Sequence, residues 1–332
     1  MTIVLGIDGG GSKTHAVIVD DQGQLLGFAT NGPSNWETAG LRGAQDAIRE
    51  AAERALAFGG RRFGELRSAA FGLAGLDWDS DVPRLTGMID GMSLPCEYAL
   101  VNDAFVALRA GVSDGFGVVL VAGTGAVAAG RNRAGKTFRT PGQGAILGDE
   151  GSASDVSDAA VRAVADAYTG RGPATTLTEE LCSLAGCRSA EELLEQYSRG
   201  VQAPRTAAPA VMRAAEAGDE VARGIVDWAA RALGGSAVLV ARRLDMLEQR
   251  FDVVLSGGLF RTGSEQLLSV MSEVVHPQAP GARLSPLSPP PVVGAALMAL
   301  DRLGITLDDE RRRALEQATG DAVRQRPWMT RA

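Results

Sequence analysis

The chain has 332 residues, of which 45% are hydrophobic and 22% charged, and its formal net charge is −7. This length and composition predict a folded protein large enough for two domains, and they exclude a disordered chain. The negative charge argues against a partner bound through a nucleic-acid backbone. No apolar run approaches the roughly 20 residues of a membrane span, and the first strand begins too early for a signal peptide, so we expect a cytoplasmic protein.

Cysteine and histidine are too sparse to suggest a metal site. The three cysteines, Cys96, Cys182 and Cys187, lack metal-ligand spacing, and we expect them to be reduced thiols. The two histidines, His15 and His276, lie far apart in the chain.

The first stretch with functional character is a glycine-rich turn between two apolar runs. Ile3–Ile7 and Ala16–Val19 are predicted to be paired strands, and the turn between them contains Gly9–Gly11 followed by Ser12–Thr14. Glycine allows positive φ and close approach of the backbone to a ligand, so such a turn can direct its amides at a phosphate. Asp8, at the end of the first strand, is suited to holding hydrated Mg²⁺ beside that phosphate.

An ordinary glycine-rich hairpin is the alternative for this stretch. Two other phosphate motifs are excluded. A Walker A loop needs glycine directly before the lysine, where this chain has Ser12 before Lys13. A Rossmann turn leads into a helix, whereas this turn leads into a strand.

The first third of the chain continues as alternating strands and helices. Asn102 and Asp103 follow the last strand of this series, where a helix begins. The predicted strands are Leu25–Ala29, Arg67–Leu73 and Cys96–Val101, and the predicted helices cover residues 40–57, 83–91 and 104–110.

The same pattern restarts at Gly117, with the strand Val118–Ala122, the turn Gly123–Gly125 and a returning strand Ala126–Ala129. This duplication predicts two similar domains with a nucleotide held in the cleft between them. We place the domains at residues 1–113 and 114–305, the second with a helical insertion, followed by a C-terminal helix and tail at 306–332. Later predicted elements are helices at 155–168, 219–246, 266–275, 292–300 and 307–323 and a strand at 251–255.

Several motifs together resemble a known family. They span residues 3–300 in the family's order and are Gly6–Thr14, Asn102–Ala104, Ala122–Gly125, Gly148–Ser152, Leu255–Gly258 and Val293–Ala296. The chain is similar to the acetate and sugar kinase/Hsp70/actin superfamily, in the group of N-acetylglucosamine kinases, glucosamine kinases and BadF/BadG-type ATPases. The resemblance implies an α/β protein with two ribonuclease-H-like (actin-like ATPase) domains closing on ATP and Mg²⁺.

The resemblance also implies a role for individual residues of the nucleotide site. Asp8, together with Asp103, would bind Mg²⁺. The implied ATP ligands are Gly10, Gly11, Ser12, Lys13, Thr14, Gly123, Thr124, Gly125, Gly218, Gly257, Gly258 and Thr262. For Gly218, a glycine that only precedes a helix is the alternative.

Asp103 is the predicted catalytic base, because the resembling kinases use the aspartate of this motif to accept the proton of the substrate hydroxyl. Its alternative role is an N-cap of the helix that it opens.

For the sugar, the resemblance points to Asn35 and Asp149 as hydroxyl ligands, with a loop amide and a turn carboxylate as their alternatives. Asp103 and the neighbours of Asp149 complete this expected set, namely Gly142, Gln143, Gly144 and Glu150. Many relatives have an aromatic residue where this chain has Gln143. We therefore predict that free glucosamine is a better substrate than N-acetylglucosamine.

The predicted activity is that of an ATP-dependent kinase acting on a hydroxyl of glucosamine or N-acetylglucosamine. One alternative is a BadF-type activator ATPase with an iron–sulphur cluster, but Cys182 and Cys187 are not in that motif. The other is a sugar-sensing regulator, whose DNA-binding relatives carry a helix-turn-helix before the phosphate turn. Expected partners are a sugar and ATP, with a homodimer left open, and neither nucleic acid nor membrane is expected.

Overall fold

The computed structural model describes residues 1–201 and 207–325. The chain divides into two compact units, one formed by Met1–Phe116 with the chain from Leu287 onward and the other by Gly117–Pro286. The strands are β1 Ile3–Gly9, β2 Thr14–Asp20, β3 Leu25–Asn31, β4 Leu66–Leu73, β5 Tyr98–Asn102, β6 Gly117–Ala122, β7 Ala126–Arg131, β8 Thr137–Arg139, β9 Phe251–Ser256 and β10 Ala282–Pro286. The helices are α1 Trp36–Phe58, α2 Val82–Asp90, α3 Asp103–Gly111, α4 Ala153–Thr169, α5 Leu177–Ala185, α6 Ala190–Ser198, α7 Ala207–Glu216, α8 Glu220–Arg243, α9 Glu265–Val275, α10 Val292–Asp301 and α11 Asp309–Gln325.

Each unit contains a five-stranded sheet with the same plan. The first sheet has the order β3-β2-β1-β4-β5 and the second the order β10-β9-β6-β7-β8. In both, the first strand pairs antiparallel with the second and parallel with the fourth. The predicted duplication and the α/β fold class are thereby confirmed. Because the carboxyl ends of parallel strands meet at one edge of a sheet, β1, β4 and β5 deliver their following residues to the same edge.

The first sheet is covered on both faces, as its long buried strands require. One face packs Leu5, Ile7 and Phe71 against α1 and α2. The other packs Val4 and Ala70 against α10.

α10 lies in the first unit although the expected boundary placed residues up to 305 in the second domain. The reason is a close backbone approach at Gly6 of β1, where an added Cβ would lie 2.5 Å from the amide nitrogen of Ala296. The chain therefore returns to the first sheet after β10, and that return cannot be seen from local sequence pattern.

Most predicted elements are present, with small shifts at their ends. β8 and β10 were not predicted, because both are short edge strands with little apolar alternation. α1 begins at Trp36, before the expected start at residue 40, and Gly40 interrupts it with φ +70°. The predicted strand from Cys96 begins at Tyr98.

Within the described part of the chain, α8 is the one helix that is long and apolar enough to cross a membrane, by length and composition alone. Half of the apolar window of α8 is buried in the fold.

Candidate active site

The phosphate turn of the first unit is built by close approach of backbone segments. The Gly10 amide donates a hydrogen bond to the Lys13 carbonyl at 2.9 Å. A Cβ at Gly9 would lie 2.5 Å from the Ser34 hydroxyl, so this position requires glycine. None of the three glycines has positive φ, so the turn is not left-handed at these positions. Close approach explains Gly9, whereas an added Cβ at Gly11 would meet no atom within 4 Å. Gly11, Ser12 and Lys13 are exposed, as phosphate ligands must be.

Thr14 has a different position from the one predicted. Its side chain is fully buried. The hydroxyl donates to the Gly32 carbonyl at 2.8 Å and shares a second 2.8 Å hydrogen bond with the Ser34 hydroxyl. Thr14 therefore fixes the loop after β3 to the turn, and its position does not support a direct phosphate contact.

Asp8 ends β1 beside this turn with a side chain that is 19% exposed. Burial, and then the negative charge of Asp103, raise its pKa to about 7, while Lys13 lowers it. Asp8, Lys13 and Asp103 consequently lie within one electrostatic neighbourhood. A nearby cation stabilises the ionised form of a carboxylate whose burial disfavours ionisation. Mg²⁺ prefers oxygen ligands, so these residues fit the ion that the fold family implies.

His15 is a residue of this neighbourhood that the sequence did not single out for function. It is the cross-strand partner of Asp8, and its Nδ1 lies 4.0 Å from Asp8 Oδ2. Nδ1 is buried without a hydrogen-bond partner. Burial, and then the charge of Lys13, lower the pKa of His15 to about 4, so its ring is neutral at pH 7. Only its position opposite Asp8 in the paired strands could have indicated a functional role for His15. That position is known only when the register of the two strands is known.

Asp103 is the first residue of α3, and the preceding Asn102 is the N-cap. The Asn102 amide oxygen accepts from the Ala104 amide at 3.0 Å. Its amide nitrogen donates to Asp77 Oδ1 at 3.1 Å and to the Leu76 carbonyl at 3.4 Å. The capping alternative for Asp103 is therefore wrong, and the sequence analysis missed both Asn102 and Asp77 as supports of this position.

A loop after β4 lies at the same edge and is held by its own hydrogen bonds. Asp81 Oδ2 accepts from the amides of Asp77 and Trp78, at 3.1 Å and 2.8 Å. The Trp36 indole donates to the Gly75 carbonyl at 2.7 Å. This loop therefore connects the start of α1 with the Asn102 cap.

Asn35 lies beside the same loop as the N-cap of α1. Its amide oxygen accepts from the Glu37 amide at 2.9 Å. A Cβ at Gly75 would lie 2.6 Å from that oxygen. Asn35 thus has a structural role, and it is brought to the edge of the sheet where β4 and β5 end.

The glycine turn of the second unit is closed by a backbone hydrogen bond like the first, but it is one residue shorter. The Gly123 amide donates to the Gly125 carbonyl at 2.9 Å, and Thr124 between them is exposed. The Gly123 carbonyl accepts from the Ala153 amide at 2.9 Å. The N-terminus of α4 therefore begins at this turn, and a helix N-terminus favours an anion such as a phosphate.

The predicted adenosine residues occupy two loops of the second unit. Gly257 has φ +109°, and a Cβ there would lie 2.2 Å from the Ala122 carbonyl oxygen, so glycine is required where β9 ends against β6. Gly258 is exposed, whereas the Thr262 hydroxyl donates to the Leu259 carbonyl at 2.7 Å.

Gly218 has φ +98° between α7 and α8, and its amide donates to the Ala215 carbonyl at 3.1 Å. Gly218 directly precedes Asp219, the N-cap of α8, so this geometry supports the alternative of a glycine that only precedes a helix.

The predicted sugar loop of the second unit is organised by Asp149. This residue is buried, and its Oδ2 accepts from the amides of Gly142 and Gln143, at 2.6 Å and 3.2 Å. Gly142 and Gly144 have φ of +71° and +87°, which explains the glycines on both sides of Gln143. Asp149 is thus an anchor of this loop, while Gln143 is exposed on it. Glu150, next to the anchor, is half-buried.

The first unit thus brings Asp8, Lys13, Asp103 and Asn35 to one edge of its sheet. Among residues 1–201 and 207–325, no group of three or more His, Cys, Asp or Glu side chains is arranged to hold a metal ion. A hydrated ion held by few protein carboxylates and by phosphate oxygens is how Mg²⁺ is usually bound in nucleotide sites.

The model of the BadF/BadG/BcrA/BcrD ATPase family matches residues 5–299. The chain belongs to this family. The match includes both glycine turns and the Asn102–Asp103 segment.

Individual relatives agree with this family assignment. The chain is 32% identical over 262 residues to the N-acetylmuramic acid/N-acetylglucosamine kinase of Clostridium acetobutylicum, covering 78% of this chain and 86% of that protein. It is 31% identical over 318 residues to the N-acetyl-D-glucosamine kinase of Dictyostelium discoideum, covering 90% of this chain and 98% of that protein. A solved Chromobacterium violaceum protein, a candidate N-acetylglucosamine kinase, has the same fold with a TM-score of 0.69 and 23% identity, over 90% of this chain and 99% of that one.

Proposed function

We propose that this chain is an ATP-dependent kinase that transfers the γ-phosphoryl group of ATP to a hydroxyl of an amino sugar of the glucosamine type. The observation that carries the proposal is the position of Asp103. It begins α3 while Asn102 provides the cap, and it lies near enough to Asp8 to raise the pKa of that carboxyl. A carboxylate beside a phosphate turn is the arrangement that phosphoryl transfer to a hydroxyl needs.

In this mechanism Asp103 orients the sugar hydroxyl and accepts its proton as the phosphoryl group is transferred. Most of the rate acceleration comes from positioning and from stabilisation of charge on the phosphates. Ser12, Lys13 and the amides of Gly10 and Gly11 bind phosphate oxygens. Asp8, with Asp103 close by, would hold Mg²⁺, and the ion would neutralise part of the phosphate charge. The neutral ring of His15 lies 4.0 Å from the Asp8 carboxylate.

The second unit contributes the remaining nucleotide ligands in this proposal. Gly123, Thr124 and Gly125 bind phosphate oxygens, and Gly257 and Gly258 let the chain approach the adenosine. We expect Thr262 and Gly218 to contribute less to nucleotide binding, because each already has a role within the fold.

The acceptor is assigned from the relatives and from the polar groups predicted for the sugar site. Both named kinases act on N-acetylglucosamine, so this sugar is the first candidate. Asn35 of the first unit would bind a sugar hydroxyl through the polar atoms that do not cap α1. In the second unit Asp149 would bind one through the polar atoms that do not anchor its loop, with Glu150 and the backbone of Gly142 and Gly144 as further ligands. Because exposed Gln143 offers no apolar wall for an acetyl methyl, free glucosamine stays the competing acceptor.

An activator ATPase is the alternative within the same family. Such activators hold an iron–sulphur cluster through cysteines. Here Cys96, Cys182 and Cys187 are free thiols, and Cys182 and Cys187 both lie at the end of α5, where the Cys187 amide donates to the Cys182 carbonyl at 2.9 Å. This geometry is that of a helix C-terminal cap, not of a cluster site.

The proposal is tested by measuring ADP release from ATP with a panel of amino sugars and hexoses. We expect release that depends on glucosamine or N-acetylglucosamine and on Mg²⁺. ATP hydrolysis that no sugar stimulates would favour the activator alternative and overturn the kinase proposal.

A further inference from the structure

The loop after β4 carries a tryptophan that the fold itself does not use. Trp78 is 50% exposed. Along residues 1–201 and 207–325, its indole has no hydrogen-bond or ring partner, and its ring does not pack on the apolar core at either face of the first sheet. A tryptophan in a fold usually buries its ring and finds a partner for its N–H. Trp78 instead presents a large apolar ring and an N–H donor to solvent.

Trp36, which contacts the same loop, is a tryptophan with a structural role. Its indole donates to the Gly75 carbonyl at 2.7 Å, and its ring packs against the core of the first sheet. The Arg84 guanidinium lies 5.4 Å from the centre of that ring. Trp36 therefore holds the loop in place, and the loop does not need Trp78 for that purpose.

The backbone of Trp78 is nevertheless fixed. Its amide donates to Asp81 Oδ2 at 2.8 Å, and its carbonyl accepts from the Asp81 amide at 2.9 Å. Asp81 is buried. At the start of the loop, the Ala74 amide donates to the Gly9 carbonyl at 2.8 Å, which ties the loop to the phosphate turn. An aromatic side chain on a fixed backbone loses little conformational freedom when it binds a ligand, and this favours a role in binding.

The loop places Trp78 beside the proposed sugar ligands of the first unit. Asp77, the preceding residue, accepts from the Asn102 side chain at 3.1 Å, and Asn102 directly precedes the proposed base. Three residues before Trp78, a Cβ at Gly75 would lie 2.6 Å from the Asn35 amide oxygen. The short stretch that leads to Trp78 therefore contacts a proposed hydroxyl ligand and the cap that positions the base.

We propose that Trp78 is a sugar-binding residue whose indole face stacks on the pyranose ring of the acceptor. This inference rests on the proposed kinase function. In a glucosamine-type pyranose the polar substituents surround the edge of the ring, so each face of the ring presents C–H bonds. The face of an indole carries negative quadrupole charge and attracts these partly positive hydrogens. The polar edge of the sugar is then left for Asn35 and Asp103.

The charges around Trp78 favour a sugar over the nucleotide. Asp77 and Asp79 flank the tryptophan, the first half-buried and the second exposed. Carboxylates next to the ring repel the phosphates of ATP. The same carboxylates accept hydrogen bonds from the hydroxyls or the amine of an amino sugar.

Steady-state kinetics with N-acetylglucosamine and glucosamine test the proposal. Trp78→Ala should raise KM for the sugar about tenfold, because a stacked indole contributes both buried area and aromatic attraction. The stacked face does not react, so kcat should stay within about twofold of the wild type, with KM for ATP unchanged. Trp78→Phe keeps an aromatic face and should recover most of the loss. Trp228→Ala, at a tryptophan 36% exposed in the second unit, is the matched control and should equal the wild type.

Tryptophan fluorescence measures binding without turnover, with sugar added in the absence of ATP. The wild type should change its emission on titration with N-acetylglucosamine or glucosamine. Trp78→Phe should lose most of this change, whereas Trp228→Phe should keep it.

The outcomes separate the stacking from the kinase activity. A wild type that phosphorylates neither sugar, but whose fluorescence responds to one of them through Trp78, would support the stacking and overturn the kinase proposal. An active wild type whose kinetics are unaltered by Trp78→Ala would overturn the stacking alone. A rise confined to KM for ATP would assign Trp78 to the nucleotide, and a fall in kcat at unchanged KM would make it a support of the loop; either result would overturn the proposal.

Discussion

The crossing of α10 and α3 at Gly294 predicts that one added methyl group disturbs the position of Asp103. A Cβ at Gly294 would lie 1.8 Å from the Val106 carbonyl oxygen and 2.8 Å from the Ala110 amide nitrogen. Ordinary van der Waals contact begins at 3.4 Å, so 3.4 minus 1.8 leaves about 1.6 Å by which the helices must separate in Gly294→Ala. Because the atoms struck belong to the backbone, no side-chain rotation can relieve the contact.

The expected effect has a stability part and a catalytic part. Overpacking of this kind costs about 3 kcal/mol in the free energy of unfolding. α3 carries Asp103 at its first residue, so its displacement also moves the carboxylate away from the bound hydroxyl. A misplacement of about 1 Å can cost about 100-fold in rate, and we therefore expect kcat to fall by that factor in the molecules that remain folded.

Urea unfolding measures the first part, and kcat for sugar-dependent ADP release, per folded molecule, measures the second. Gly87→Ala in α2 is the matched control, because it is also a helical glycine of the first unit but has no atom within 4 Å of an added Cβ. That variant should be as active as wild type and more stable by up to about 1 kcal/mol. If Gly294→Ala matched the wild type in stability and kcat, α3 would not be held by α10 in the way described.

Three other substitutions test separate parts of the site. Asn102→Ala removes the α3 cap and the hydrogen bond to Asp77, and should cost about 1–2 kcal/mol in unfolding free energy together with a drop in kcat; an unchanged kcat would separate the cap from catalysis. His15→Gln tests the buried imidazole, whose pKa is lowered from 6.5 to about 4, so between these values the unfolded state binds more protons at this residue. His15 therefore contributes a loss of stability on acidification of up to about 3 kcal/mol, which the raised pKa of Asp8 opposes in both wild type and variant. Urea titrations at pH 7 and pH 4 should show a smaller loss in the variant, and equal losses would contradict the assignment. Gln143→Trp should move the ratio of kcat/KM toward N-acetylglucosamine over glucosamine, and a fixed ratio would remove Gln143 from the specificity site.

The features that sequence predicted well are local ones. The apolar runs of β1 and β6 and the glycine turns after them are visible in single segments, and so is the restart of the pattern at Gly117. The family motifs then gave the fold class, because their order is more specific than any one glycine turn.

The features that sequence missed depend on distant parts of the chain. Asn102 and Asp103 can both cap a helix, and the backbone at their junction decides that Asn102 does so. Thr14 is buried only because the loop carrying Ser34 folds over it. α10 belongs to the first unit because Gly6, which has no Cβ, lets the backbone at Ala296 approach β1 closely. These two residues are almost 300 positions apart in sequence.

The account rests on sugar-dependent phosphoryl transfer with Asp103 as the base. The most direct measurement is therefore ATP-dependent formation of a sugar phosphate, followed by ³¹P NMR, for the wild type and Asp103→Asn with N-acetylglucosamine and glucosamine. We predict equal amounts of ADP and sugar phosphate from the wild type. In Asp103→Asn we predict a fall in kcat of at least about 100-fold, with the fold and ATP affinity retained. No phosphate ester with either sugar, or a kcat in Asp103→Asn close to that of the wild type, would contradict the account.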